Sequence, residues 1–144
     1  MLIPALSIKQ PWAYSIVLGH KPIENRDWKH PPKYRGPLLI HASKGYDRQG
    51  EEWINDAFPE IIIPKLYVGN GMGGIVGIVN LVGIVTDHKS PWFFGPLGLV
   101  LKDARQLPFF PCKGQLGLFK VDYPDDLLFE NLKGQDFELY FKPY

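Results

Sequence analysis

Apolar positions fall in short runs along this chain, and their period switches between two and about 3.6. Ala5, Leu6 and Ile8 give a strand over about 5–9. Pro11 suits the first turn of a helix, Trp12, Ile16 and Val17 fall at helical spacing, and Gly19 closes that helix. Strands are expected at about 23–28 and 37–43, separated by the Pro31-Pro32 loop. A second helix covers about 46–58, with Tyr46, Trp53, Ile54 and Ala57 on its apolar face and Pro59 beyond its end. A Gly-rich loop follows. The β-branched runs Ile75–Val79 and Gly83–Thr86 then predict a strand over about 75–86, with glycines marking bends. Further strands are expected at 97–101, 115–122 and 136–142. Six to seven strands with two helices make an α+β chain, built on a small, partly open β-barrel.

Composition narrows this picture only a little. At 144 residues, with 45% hydrophobic and 22% charged, the chain reads as one globular domain over 1–144. The 15 glycines and 14 prolines are dispersed, which fits many short elements joined by tight turns. Cys112 is the single cysteine, so no internal disulfide framework exists, and a cytoplasmic setting is expected. No signal-peptide pattern opens the chain, and no apolar run reaches the roughly 18 residues of a membrane helix.

The net charge is +1, which excludes bulk polyanion binding, but the distribution is uneven. Seven Lys/Arg stand against three acids between His20 and Arg48, whereas six acids face Lys133 alone between Asp122 and Glu138. The basic first half is the more suggestive of a ligand, although solvated surface would account for most single charges.

Several textual motifs fail on context. Gly69-Asn70-Gly71-Met72-Gly73-Gly74 has the G-x-G-x-x-G text, yet a strand follows it where a dinucleotide fold needs a helix, so a flexible loop is expected. His20, His30, His41 and His88 form no close ligand set and have no second cysteine to join, so no metal and no cofactor are expected. Glu51 and Glu52 diverge on a helix. Cys112, between Pro111 and Lys113, has no evident base partner.

One constellation is harder to explain as packing. Glu24, Arg26 and Trp28 are spaced by two, so a strand presents them on one face, with Lys21 at its mouth. A carboxylate, a guanidinium and an indole together suit a flat polar ring, through paired donors and acceptors and a stacking surface. The alternative is an ion pair, Glu24 with Arg26 or with Lys21, that merely closes the barrel. Lys9, Gln10 and Trp12 precede this segment, and His41 and Ser43 share a face of the next strand, so three segments can converge on one cleft. Trp92, in the aromatic turn Ser90–Pro96, either lies over a ligand or plugs the barrel.

The runs LSIKQPWA, GHKPIENRDW and YRGPLLIHAS, with the later WFFGP and KGQLGLF, resemble the ASCH domain of the PUA-like superfamily, in its bacterial and phage-type form. The resemblance spans nearly the whole chain. It implies a PUA-like β-barrel with a cleft beside the first helix, and binding of RNA or a modified nucleoside. Two enzymatic activities also occur among such relatives: removal of the acetyl group of N4-acetylcytidine, and RNA cleavage. The deacetylating relatives use a lysine after G-x, a threonine three positions on, and a later glutamate. Lys21 falls on the lysine and Glu24 on the threonine, and no later glutamate is matched. A lysine acting as base or nucleophile must be neutral part of the time, and an adjacent carboxylate favours the ammonium form. The expectation is therefore a binder of RNA or a modified nucleoside. Its contacts would be Lys9, Gln10, Trp12, Lys21, Glu24, Arg26, His41, Ser43 and Trp92. A hydrolase using Lys21 and Glu24 is the enzymatic alternative, and a protein-interaction module the third.

Overall fold

The computed structural model describes residues 1–142. The elements run β1 (Leu2–Gln10), α1 (Trp12–Val17), β2 (Ile23–Arg26), β3 (Gly36–Tyr46), α2 (Arg48–Ala57), β4 (Tyr67–Val68), β5 (Gly71–Met72), β6 (Gly74–Val85), β7 (Leu97–Pro111), β8 (Leu118–Asp122), α3 (Asp125–Asn131) and α4 (Gln135–Glu138). This is an α+β fold. Six strands form one sheet in the order β2-β7-β6-β3-β1-β8, and β4 and β5 form a small ribbon apart from it.

The long β6–β7 hairpin carries three register shifts, and bulges of this kind bend a sheet and increase its twist. β1 and β3 pair in parallel, as a crossover through α1 requires. Helix α1 comes close enough to β6 that a Cβ on Gly77 would lie 2.4 Å from Val17 Cγ1. Glycine is what allows that approach. The apolar faces of β1, β3, β6 and β7 build two cores. One packs against α1 around Leu6, Ile16, Leu38 and Val79. The other, around Ile3, Leu39, Ile75 and Ile78, is covered by Tyr123, Leu128 and Tyr140.

No ladder joins β2 to the opposite edge among the described residues, so backbone hydrogen bonds do not close the sheet. Its edges instead meet through a side chain. The β1–β8 ladder ends at Leu6 opposite Leu118. At the next residue, the Ser7 carbonyl accepts a 2.9 Å hydrogen bond from Arg26 of β2.

Three expectations need correction. The segment 136–142 is not a strand: α4 occupies Gln135–Glu138, and a second unforeseen helix, α3, precedes it. Phe137, Tyr140 and Phe141 sit at the i, i+3, i+4 spacing of a helical face and pack on the second core, while Leu139, the residue that completes an alternating pattern, is exposed. The strand expected at 97–101 runs to Pro111. Lys102-Asp103 reads as its end, but Asp103 adopts a positive φ of 56° and the ladder continues beyond it. The Gly-rich loop, expected to be flexible, is partly ordered as the β4–β5 ribbon.

Candidate functional site

A cleft of about 1690 Å³ occupies the gap between β2 and the C-terminal half of β1. Its walls come from β1, Trp12, residues 24–28, the end of β3 and the loop 111–117. Alternation on β2 and the turn before it deliver three ions to this wall. Lys21 and Glu24 are buried and Arg26 is partly exposed. Lys21 Nζ lies 2.8 Å from Glu24 Oε1, and Arg26 Nη2 lies 3.0 Å from Glu24 Oε2. Lys21 also donates to the Ile23 carbonyl, and its ammonium sits 5.7 Å from the centre of the Trp12 ring. Arg26 in turn lies over Trp28, with its guanidinium carbon 5.7 Å from the ring centre.

Burial by itself would push the Glu24 carboxyl up. The charges of Lys21 and Arg26, with their hydrogen bonds, outweigh that and hold it below its ordinary value. Glu24 is therefore a carboxylate with both oxygens occupied by cations, and the three side chains together carry one net positive charge. Lys9, Lys44 and Lys113 are exposed around the rim. The cleft thus gathers five cationic side chains against two carboxylates, Glu24 and Asp27.

His41 is buried at the floor. Its Nε2 stands 2.8 Å from the Cys112 carbonyl, which can only accept, so Nε2 carries the proton. Its Nδ1 is 2.9 Å from Ser7 Oγ. These two contacts tie the loop after β7 to β1 beneath the cleft. Burial pushes the Cys112 thiol up, away from the reactive thiolate form. Ser43 also lines the cleft, and its Oγ accepts from the Gly45 N–H at 3.2 Å. Trp12 contributes a ring face and anchors it by donating from Nε1 to Asp47 Oδ2 at 2.9 Å. Asp47 is the N-cap of α2, with Oδ1 accepting from the Gly50 N–H at 2.9 Å.

The structure therefore gathers Lys9, Trp12, Lys21, Glu24, Arg26, His41 and Ser43 around one cleft. Gln10 and Trp92 are elsewhere. Gln10 is buried, accepts the Tyr14 N–H of α1 at 2.8 Å and donates to the Gly71 carbonyl at 2.8 Å, so it ties α1 to the β4–β5 ribbon. Trp92 is also buried, stacked on Phe58 with ring centres 4.7 Å apart and the planes 1° from parallel. It plugs an aromatic cluster with Trp12 and Trp53. Sequence reasoning did not single out Phe94, Lys44 or Lys113–Gly117 as cleft residues. Only the K-G-Q-L-G text at Lys113–Gly117 hinted at the last of these. Among the described residues, no group of His, Cys, Asp and Glu side chains is arranged to hold a metal ion.

The ASCH domain pattern matches residues 6–99, the stretch that carries the second half of β1, all three ions, β3 and β6. The chain belongs to the ASCH domain family. Solved structures similar to this ASCH domain include ASCH from Zymomonas mobilis. That chain is 14% identical, with 87% of this chain and 90% of the other covered and a TM-score of 0.49. Tyrosine-to-phenylalanine and serine-to-alanine variants of the same Zymomonas mobilis protein, ZmASCH, are each 15% identical, with 82% of this chain covered and TM-scores of 0.49. They are covered over 88% and 87% of their own lengths. No curated protein matches the ASCH chain. No helix among the described residues is long and apolar enough to cross a membrane.

Proposed function

We propose that this ASCH domain binds single-stranded RNA, or a modified nucleoside within it, in the cleft between β1 and β2, and does so without chemistry. The observation that carries this reading is the state of Glu24. Both of its oxygens are held by cations, at 2.8 Å and 3.0 Å, so the cleft's buried carboxylate is not free to take a proton. The same contact, with the one to the Ile23 carbonyl, occupies Lys21 Nζ as a donor, which works against a role as base or nucleophile. What remains is a fixed positive site beside aromatic rings. The exposed lysines suit phosphates, and Trp28 and Phe94 offer faces on which a base can stack.

The same reading takes the sheet as an opened PUA-like barrel, whose unclosed seam is the ligand cleft. It takes residues 1–144 as one domain that binds RNA in the cytoplasm.

Titrating a fluorescein-labelled single-stranded oligoribonucleotide into the protein at several salt concentrations tests this. Affinity should fall with salt, and Arg26→Ala should weaken binding and flatten the salt dependence by about one ion if Arg26 meets a phosphate. N4-acetylcytidine incubated with the protein should be recovered intact by mass spectrometry. Deacetylation lost in Lys21→Ala would replace the binder with the amidohydrolase. Absence of RNA binding even at low salt would remove the reading altogether.

A further inference from the structure

Strand β2 has a second function that its charged residues hide. Asn25 lies between Glu24 and Arg26 and uses its amide on the aromatic turn Ser90–Pro96. Its Oδ1 accepts from the N–H groups of Phe94 at 2.7 Å and Gly95 at 3.1 Å, and its Nδ2 donates to the Trp92 carbonyl at 3.0 Å. Two N–H groups meeting one atom and a carbonyl meeting the other leave no freedom in how this amide is oriented. Three of its four hydrogen-bonding capacities are engaged with three residues of one turn, Trp92, Phe94 and Gly95.

That turn carries Phe94 at the edge of the cleft. Phe94 is 60% exposed, unusual for a large apolar side chain, yet its ring is not loose. It meets Trp53 edge-on, with ring centres 5.1 Å apart. Trp53 contacts Trp12, and the Trp12 ring receives the Lys21 ammonium. A continuous aromatic path thus leads from the buried ions to a ring held open to solvent, and the residue fixing that ring is a neighbour of those ions on the same strand.

We propose that Asn25 is the positioning residue that holds Phe94 as a stacking platform for one nucleobase at the cleft mouth. The proposal rests on the RNA reading above and adds a base-contact subsite at the aromatic edge of the same cleft. Stacking tolerates any base, so this subsite adds affinity without sequence preference. It contributes no phosphate contact, so its loss leaves the salt slope unchanged.

The test uses the full-length protein and a labelled oligouridylate. Phe94→Ala and Asn25→Ala should each weaken binding about tenfold with the salt slope unaltered. Because Asn25 acts through Phe94, Asn25→Ala should cost almost nothing more in the Phe94→Ala background. A purely structural Asn25 would cost the same in both backgrounds, and that result overturns the proposal. So does parental binding by either single variant. In ligand-free protein, releasing Phe94 from Trp53 should raise acrylamide quenching of tryptophan emission in Asn25→Ala, and unchanged quenching refutes the clamp. If Asn25→Ala fails to fold, Asn25→Asp keeps both acceptor contacts but sets a carboxylate oxygen against the Trp92 carbonyl, so it should also raise quenching, and the parent's quenching counts against the clamp. No binding by the parent itself would overturn the RNA reading together with this subsite. Binding by the parent that the variants share would overturn the subsite alone.

Discussion

The two ends of the sheet are both well buried, but different kinds of group are buried in them. Beneath the C-terminal helices the interior holds Leu128, Leu132, Tyr123 and Tyr140, with Asn80 as its polar member. Every polar contact there has a structural partner. Asn80 Nδ2 donates to Asp103 Oδ2 at 2.8 Å and to the Leu139 carbonyl at 2.7 Å, and the Tyr123 hydroxyl donates to the Pro108 carbonyl at 2.8 Å. At the cleft end the chain buries Lys21 and Glu24 instead. A buried ion cluster gives little or no stability over apolar side chains of the same volume, while leaving one member unpaired is expensive. The helix-covered end is built to hold the fold together. The cleft end retains charges that stability alone does not require, which is the physical reason for placing the ligand there.

The largest expected effect separates those two statements. Glu24→Ala leaves Lys21 and Arg26 without their carboxylate and should destabilise the protein by about 3–5 kcal/mol in denaturant unfolding. Replacing all three ions with apolar residues, Lys21→Met, Glu24→Leu and Arg26→Leu together, should recover most of that loss while RNA binding disappears. If the triple variant is as unstable as Glu24→Ala, the cluster is structural and the contrast fails.

At the other end, Leu128→Ala removes a fully buried side chain from under α3 and should cost about 3 kcal/mol. The prediction concerns where that loss is felt. At temperatures where the variant is still folded, its RNA affinity should equal the parent's. Affinity falling in step with stability would show that the two ends are not independent.

A smaller effect, set by pH, should act on the ends in opposite directions. Glu24 has a carboxyl lowered in the fold from its ordinary 4.5, so its contribution is complete above that value and lost as pH falls through the folded value. Tyr123 and Tyr140 have hydroxyls pushed up to about 12, chiefly by burial, so their contribution is complete below their ordinary 10 and lost as pH rises through 12. Glu24→Gln should therefore flatten the stability profile only below about pH 4.5. Tyr140→Phe should flatten it only above about pH 10. Unfolding midpoints across pH read both arms, and a change at the wrong end for either variant refutes the assignment.

What the sequence disclosed differs between the same two regions. Around the cleft, the period-two spacing of Glu24 and Arg26 put both on one strand face, and the β-branched run over β6 was readable because local preference and final structure agree there. The loop 112–117 was not readable as cleft wall, since only the return of β7 and β8 past β1 brings it there. Nor was the function of Trp92, whose indole could equally stack on a ligand or on Phe58. At the C-terminal end, the run Asp136–Phe141 supports both a strand alternation and a helical i, i+3, i+4 face. Tertiary contact decides for the helical face, through Tyr140 to the Asp103 carbonyl and Arg105 to Asp136, and neither partner lies near in sequence.

β2 is four residues long, lies at the edge of the sheet, and pairs along one side only, Ile23 to Arg26 against Val100 to Leu97. An edge strand of that length is among the first elements to open locally while the rest of a sheet stays intact. Beyond that ladder, the Arg26 guanidinium reaches the Ser7 carbonyl and the Asn25 amide holds the turn Ser90–Pro96. A short excursion of this strand would widen the seam for a bulky polymer, uncovering Ile23 of the aromatic cluster but neither of the two cores described above. Its amide protons should accordingly exchange with solvent on a faster clock than those of β3 and β6, and a ligand seated across the seam should slow that clock more than any other in the molecule.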